Sequence, residues 1–388
     1  GSITEITAAE TANITTSATA TLSAATGIGA SGGGSIDTAI ASLQATNSVS
    51  GDIFITEANT LDVSGTGLRT LAGNGSVTLT VAAGSLSINA NISAHGTGII
   101  TLNTTVGDTT QSAGTITASG LLLLGAGSFT LNQSGNDVDS LAADLNTGAV
   151  AFTDLDDLNI TTVASTSGIT TGGPGTGGNV TVTAGGTITV TQPISTVLPS
   201  DSTATGTLSL SGGVQVNNTI TSGGGNISLT GASTANTDLI VNSSLTSGGD
   251  ISLTAPRDAF SNGVVSTTGT NADITVMADS DTNGTGGVLL TTSGGISAIA
   301  TVTLRGSAGQ SATFSNAGVG SGTGFSLLAP LSTVAVQIDS DGTNNQVSST
   351  GTSIVIDSHG ATTGSDIVIN GRITTTTNGG TLLVTADA

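Results

Sequence analysis

The sequence predicts an all-β fold: a parallel β-helix, or β-solenoid, with rungs of roughly 20–25 residues. Three observations carry this. A unit of Gly-Gly or Gly-Asn followed by alternating aliphatic and small polar residues keeps returning. It reads GGNVTVTAGGTITVTQ (Gly177 to Gln192), GGNISLTG (Gly224 to Gly231), GGDISLTA (Gly248 to Ala255) and NADITVMA (Asn271 to Ala278). Ile227, Ile251, Ile274 and Ile296 stand 24, 23 and 22 residues apart, a period that belongs to stacked repeats. The sequence offers no amphipathic 3.6-period segment long enough for a confident helix.

Taken in chain order, Ser35 to Gln44 places Ile36, Ile40 and Leu43 at helical spacing, and fits either a short helix or a strand with a turn. Ser76 to Val81, Ser85 to Ile92, Gly206 to Leu210 and Ser353 to Asp357 alternate aliphatic residues with Ser, Thr or Asn. That pattern belongs to half-buried strands, aliphatics inward and hydroxyls toward water. Within a repeat, Ile227 to Leu229 and Leu239 to Val241 read as separate short strands, giving two or three per rung with Gly, Asn or Asp at the corners. Residues 1–388 read as one continuous solenoid. An irregular loop or bend is expected within 172–206, where Pro174, Pro193 and Pro199 fall.

The 388 residues include 58 Gly, four Arg and 25 acidic residues, with no Lys, Cys, Trp or Tyr, for a net charge of −21. Low complexity of this kind often marks disorder, but the period-two aliphatic runs supply the apolar surface that disordered tracts lack. No signal peptide, lipidation motif or apolar run of ~18 residues is visible; the run Leu121 to Leu124 is far too short to cross a bilayer. The chain opens on Gly1 and Ser2, which suggests a processed product or a fragment whose export signal has been removed.

The run Ser35 to Val63 (SIDTAIASLQATNSVSGDIFITEANTLDV), the Gly-Asn/Asp-Ile-Ser-Leu-Thr units and rungs such as Ala149 to Thr162 (AVAFTDLDDLNITT) resemble the shafts of filamentous-haemagglutinin-type bacterial exoproteins and adhesins. The resemblance implies a right-handed parallel β-helix, export to the cell surface, and work as a stalk, adhesin or matrix fibre. It is carried by degenerate repeats and bears on architecture more than activity. Neither the family's N-terminal secretion module nor a C-terminal membrane barrel is visible.

β-Helices also carry polysaccharide lyases and hydrolases, which need paired carboxylates or an anionic calcium site beside a strong base. Candidate acids are Asp154, Asp156 and Asp157, Asp137 with Asp139, Asp279 with Asp281, and Asp339 with Asp341. The cations Arg69, Arg257, Arg305 and Arg372 are scattered singly, and no Trp or Tyr platform is present on which a sugar could stack. With no Cys and only His95 and His359, each followed by glycine, neither a triad nor a zinc site with its usual ligands is expected. Without lysine, Gly172 to Gly178 is no phosphate loop. An enzyme is therefore not expected, and neither are catalytic or cofactor-binding residues.

One chemically specific motif remains. Asp279, Asp281 and Asn283 place oxygen ligands at alternate positions before Gly284, and Asp339 with Asp341 offers a shorter version before Gly342. Leu290 stands where a helical calcium hand would supply its Glu, so the candidate is a calcium ion held between stacked turns, competing with plain turn formation by Asp and Asn. Thr-x-Thr pairs such as Thr78/Thr80 and Thr181/Thr183 lack a constant rung spacing and read as ordinary strand hydroxyls instead of an ice-binding ladder.

The net charge disfavours nucleic acid and anionic membranes as partners, and membrane insertion is not expected. The expected function is an extracellular structural or adhesive fibre. It would be a shaft continued by flanking segments of a longer chain, or a filament subunit stacking end to end on its own copies, meeting a host or neighbouring cell surface. The alternatives are a β-helical polysaccharide lyase or hydrolase using the Asp clusters, and a calcium-stabilised surface-layer component.

Overall fold

The computed structural model describes residues 1–5, 12–173, 176–197, 205–232, 237–281, 286–290 and 295–306, with the strands Val334–Ile338, Asn345–Ser349, Ser353–Ser358, Asp366–Ile369, Arg372–Thr375 and Thr381–Thr385. Among them every regular element is a strand, and each of the two compact units, Gly1–Leu208 and Ser209–Ala388, is a parallel β-solenoid.

In the first unit each rung contributes to three columns of strands. The first column runs through Ile53–Glu57, Val77–Val81, Ile99–Thr104, Gly120–Gly125 and Ser140–Leu145, each parallel to the next. A second holds the Leu61 end of Leu61–Thr70, then Leu86–Ile88, Thr109–Gln111, Phe129–Leu131, Val150–Asp154 and the Val180 end of Val180–Val190. In the third, the Leu68 end of Leu61–Thr70 is followed by Ile92–Ser93, Ile116–Ala118 and Asp137–Val138. The stretch expected as helix or strand is a single strand, Ile36–Asn47, serving all three columns: Ile36 aligns with Ile55, Leu43 with Val63 and Ala45 with Leu68. Its inward residues run Ile36, Thr38, Ile40 and then Leu43. The three-residue step that imitates a helix is a strand passing a corner.

Alternation is realised as read. Inward residues stack into aliphatic columns that widen at Phe129 and Phe152, the largest fully buried side chains. Four consecutive leucines would still put two side chains into water. Leu121 and Leu123 are fully buried, while Leu122 lies beneath an antiparallel hairpin, Thr162–Val163 with Thr166–Ser167, whose Val163 packs on Leu122 and Ala142. The hairpin is an excursion from the first column: Leu141 pairs with Ile160, and Ala143 then pairs with Ile169. A second antiparallel pair, Gly172–Gly173 with Thr176–Gly177, falls within the stretch expected to bend.

Two devices fix the corners. The first is close approach. Glycines 84, 107, 127, 148 and 178 stand at one corner of successive rungs, and a Cβ on any of the last four would run into the carbonyl of the glycine before it. The second is a buried hydroxyl that ties the neck of a loop: Thr70 Oγ1 donates to Gly75 O (2.6 Å), Thr171 Oγ1 to Gly178 O (2.6 Å) and Thr196 Oγ1 to Gly206 O (2.9 Å). These ties reach 5, 7 and 10 residues along the chain.

The second unit repeats the plan. Ile227–Thr230, Ile251–Thr254, Ile274–Met277 and Thr301–Gly306 form one column, Ile220–Ser222, Leu245–Ser247, Val264–Thr267 and Gly295–Ala298 another, and Leu239–Val241, Ala259–Ser261 and Val288–Leu290 the third. Ile227, Ile251 and Ile274 are successive members of one stack, as their spacing predicts. The next member is Val302, 28 residues on, and Ile296 pairs with Val265 in a different column. Thr221, Thr246, Ser266 and Ser297 align on the outward face, a hydroxyl column that a search for Thr-x-Thr overlooks because Ser replaces Thr.

Candidate functional site

The repeated Gly-Asn/Asp corner is where most polar chemistry in the described residues is concentrated. In the second unit Asn226 Oδ1 accepts the N–H of Asp250 (2.9 Å), and Asp250 Oδ1 accepts the N–H of Asp273 (2.9 Å). In the first, Asn13 receives Asp37 N–H (2.7 Å), Asp52 receives Ser76 N–H (2.7 Å), Asn91 receives Thr115 N–H (3.0 Å) and Asp108 receives Ser128 N–H (2.8 Å). Each side chain supplies the acceptor that a backbone turning the corner lacks, one rung onward. The position after it then starts an inward aliphatic strand. The Asn/Asp of the sequence motif is thus a stacking device.

The acids expected as a cluster are partly brought together. Asp154, 3 % exposed, accepts N–H groups from Val138 (3.0 Å) and Asp156 (3.3 Å). Burial pushes its carboxyl up to about 6 against those two hydrogen bonds, and the nearby charges of Asp156 and Asp137 add to the rise. Asp157 Oδ1 takes the N–H of Thr187 (2.6 Å), and the Asp139 carbonyl accepts both the N–H (3.0 Å) and the side-chain amide (3.2 Å) of Asn159. A catalytic acid must reach its substrate. Asp154 instead turns inward and holds a corner. Close by, the fully buried Asn136 accepts from Ile116 N–H (2.9 Å) and Gln111 Nε2 (2.7 Å), and donates to Gln111 Oε1, Leu131 O and Thr153 O.

In the second unit the structure assembles a charged corner that sequence reasoning missed. Arg257 grips Asp238 with both ends of its fork, Nε to Oδ1 at 2.7 Å and Nη2 to Oδ2 at 2.5 Å, while Nε lies 3.7 Å from Asp258 Oδ2. The Asp238 hydrogen bond pushes the guanidinium up from its ordinary value. The Asp258 side chain is 2 % exposed; Gly287 N–H reaches its Oδ1 at 2.8 Å, and Asp258 N–H donates to Asp238 Oδ1 at 3.2 Å. Burial pushes the Asp258 carboxyl up to about 7, Asp238 adds to the rise, and the Gly287 hydrogen bond and Arg257 oppose it. The available signal was positional: Asp238 and Asp258 directly precede Leu239–Val241 and Ala259–Ser261, consecutive strands of one column.

Of the calcium candidates, Asp279 is buried with φ +53°, its N–H donating to Arg257 O (3.1 Å), and Asp281 is exposed. Asn283, Asp339 and Asp341 lie outside the described residues. Among the described residues, no group of three or more His, Asp or Glu is placed to hold a metal. His95 is exposed beside Gly96, its N–H donating to Thr70 Oγ1 (2.9 Å), and His359 lies outside the described residues. Among the described residues no helix is long and apolar enough to cross a membrane.

Comparison with known proteins returns no matching family model, no similar curated protein and no similar solved structure. The architecture is a β-solenoid fit for a shaft.

Proposed function

We propose that this protein is a structural or adhesive β-solenoid, displayed outside the cell as part of a shaft or fibre and without catalytic activity. The observation that carries this reading is the use made of the polar side chains. Asn226, Asp250, Asp157, Asp154 and Asn136 each give an oxygen to a backbone N–H at a corner, so these side chains serve to hold rung to rung. The outward faces carry hydroxyl columns such as Ser228, Ser252, Thr275 and Thr303, suited to a hydrated surface. Leu382, Leu383 and Val384 in the strand Thr381–Thr385 are 50 %, 51 % and 43 % exposed, apolar surface of the kind that serves contact with another molecule.

Electron micrographs of the purified chain test this. Long uniform fibres would identify a subunit stacking end to end, isolated short rods a shaft segment, and compact round particles would refute both. Calcium is dispensable in this reading. A chelator should leave the melting temperature of the chain unchanged, whereas a fall of several degrees would show a bound divalent ion and favour the surface-layer alternative.

A further inference from the structure

The charged corner of the second unit holds one feature that stacking does not require. Asp258 Oδ2 is buried without a hydrogen-bond partner, while the adjacent guanidinium gives its fork to Asp238, which is far less buried (12 % against 2 % of the side chain). A buried carboxylate with an orphaned oxygen is costly when ionised and much less so when neutral. Both carboxylates lie within reach of one cation, on consecutive rungs, and Asp258 Oδ1 is the seat for the following rung through Gly287. The charged groups around the corner are Asp238 from the rung before, Arg257 from the same turn, and Asp279, whose N–H meets the Arg257 carbonyl from the rung after.

We propose that Asp238, Arg257 and Asp258 form a proton-operated clamp in the second unit. With Asp258 neutral, Arg257 is committed to Asp238 and the corner is closed. Ionisation puts a charge into this buried corner and draws the guanidinium across toward Asp258, splitting the fork on Asp238. The corner as a whole weakens, even though Gly287 N–H then holds the carboxylate more tightly. The direction follows from burial. The folded carboxyl, raised to about 7, keeps a proton that the unfolded chain, titrating near ~3.9, has already released. The stabilising contribution is therefore complete below pH ~4 and is lost as pH climbs through ~7.

Hydrogen exchange of the full chain, corrected for intrinsic rates and read on peptides spanning 238–262 and 286–290, tests the clamp between pH 5 and 8. The wild type should lose protection there by up to tenfold per pH unit. Asp258→Asn should flatten that profile. Asp238→Asn, which frees Arg257 for Asp258 and removes a like charge, should move the midpoint to lower pH. A profile unaltered in Asp258→Asn would overturn the proposal. Should that variant fail to fold, an unmoved midpoint in Asp238→Asn would overturn it instead.

Discussion

Gly127→Ala is expected to lower the melting temperature of the first unit by roughly 6–12 °C. Gly127 is not held by a positive φ but by proximity: its Cα faces Gly107 O, and a methyl group there would overlap that carbonyl and the carbon behind it. The atoms in the way are backbone, so relief requires one rung to move against another. Gly148 faces Gly127 O in the same manner, so the displacement passes to the next rung. Overpacking of this severity costs about 3 kcal/mol, and at this size each kcal/mol shifts the midpoint by ~2–4 °C. Thermal unfolding followed by circular dichroism measures it. Thr130→Ala, an exposed outward hydroxyl on the strand Phe129–Leu131, is the control and should change stability by less than ~0.5 kcal/mol. Equal behaviour of the two variants would refute the packing argument.

Asn136→Leu is expected to be at least as damaging. Leucine occupies a similar volume but abandons Ile116 N–H, Leu131 O, Thr153 O and both ends of the Gln111 amide, all gathered around a side chain with no exposed surface. Each orphaned buried group costs ~1–3 kcal/mol. Relaxation will recover part of this, leaving about 4 kcal/mol or more, and failure to accumulate as soluble protein is the extreme result. Gln111→Leu combined with Asn136→Leu should cost less than the sum of the two, because the amides that lose each other are then both absent. Strict additivity would show that the Gln111–Asn136 pair is not the coupled unit its two reciprocal hydrogen bonds of 2.7 and 3.0 Å describe.

The Gly-Asn/Asp-Ile unit announces a stacked fold through its period, and the columns through Ile227, Ile251 and Ile274 follow from it. What the period cannot say is which column a strand joins. Ile296 lies at nearly the right distance after Ile274 and belongs elsewhere, since inward aliphatic residues look alike in all three columns. Ser35 to Gln44 is ambiguous for a related reason, because a strand that bends through a corner borrows the spacing of a helix. The leucines at 121–124 read simply as apolar. Their fit depends on a hairpin that arrives some forty residues later, and nothing local announces it. At the charged corner, Arg257 looks isolated along the chain, because its partner Asp238 is a full rung away. Asp154, Asp156 and Asp157 are legible as a cluster of acids, but the inward turn and burial of Asp154 are tertiary properties that no local pattern displays.

The tied necks at Thr70, Thr171 and Thr196 separate two quantities that most folds keep linked. A single hydroxyl closes the gap whether its partner stands 5, 7 or 10 residues along, so the chain between them can lengthen while the ladder keeps its register. Doubling such a loop adds only ~0.6 kcal/mol of closure entropy. Insertions and deletions at these necks should then carry little penalty, because the scaffold itself stays unchanged. For the engineer, the same necks are ready-made sockets for foreign peptides.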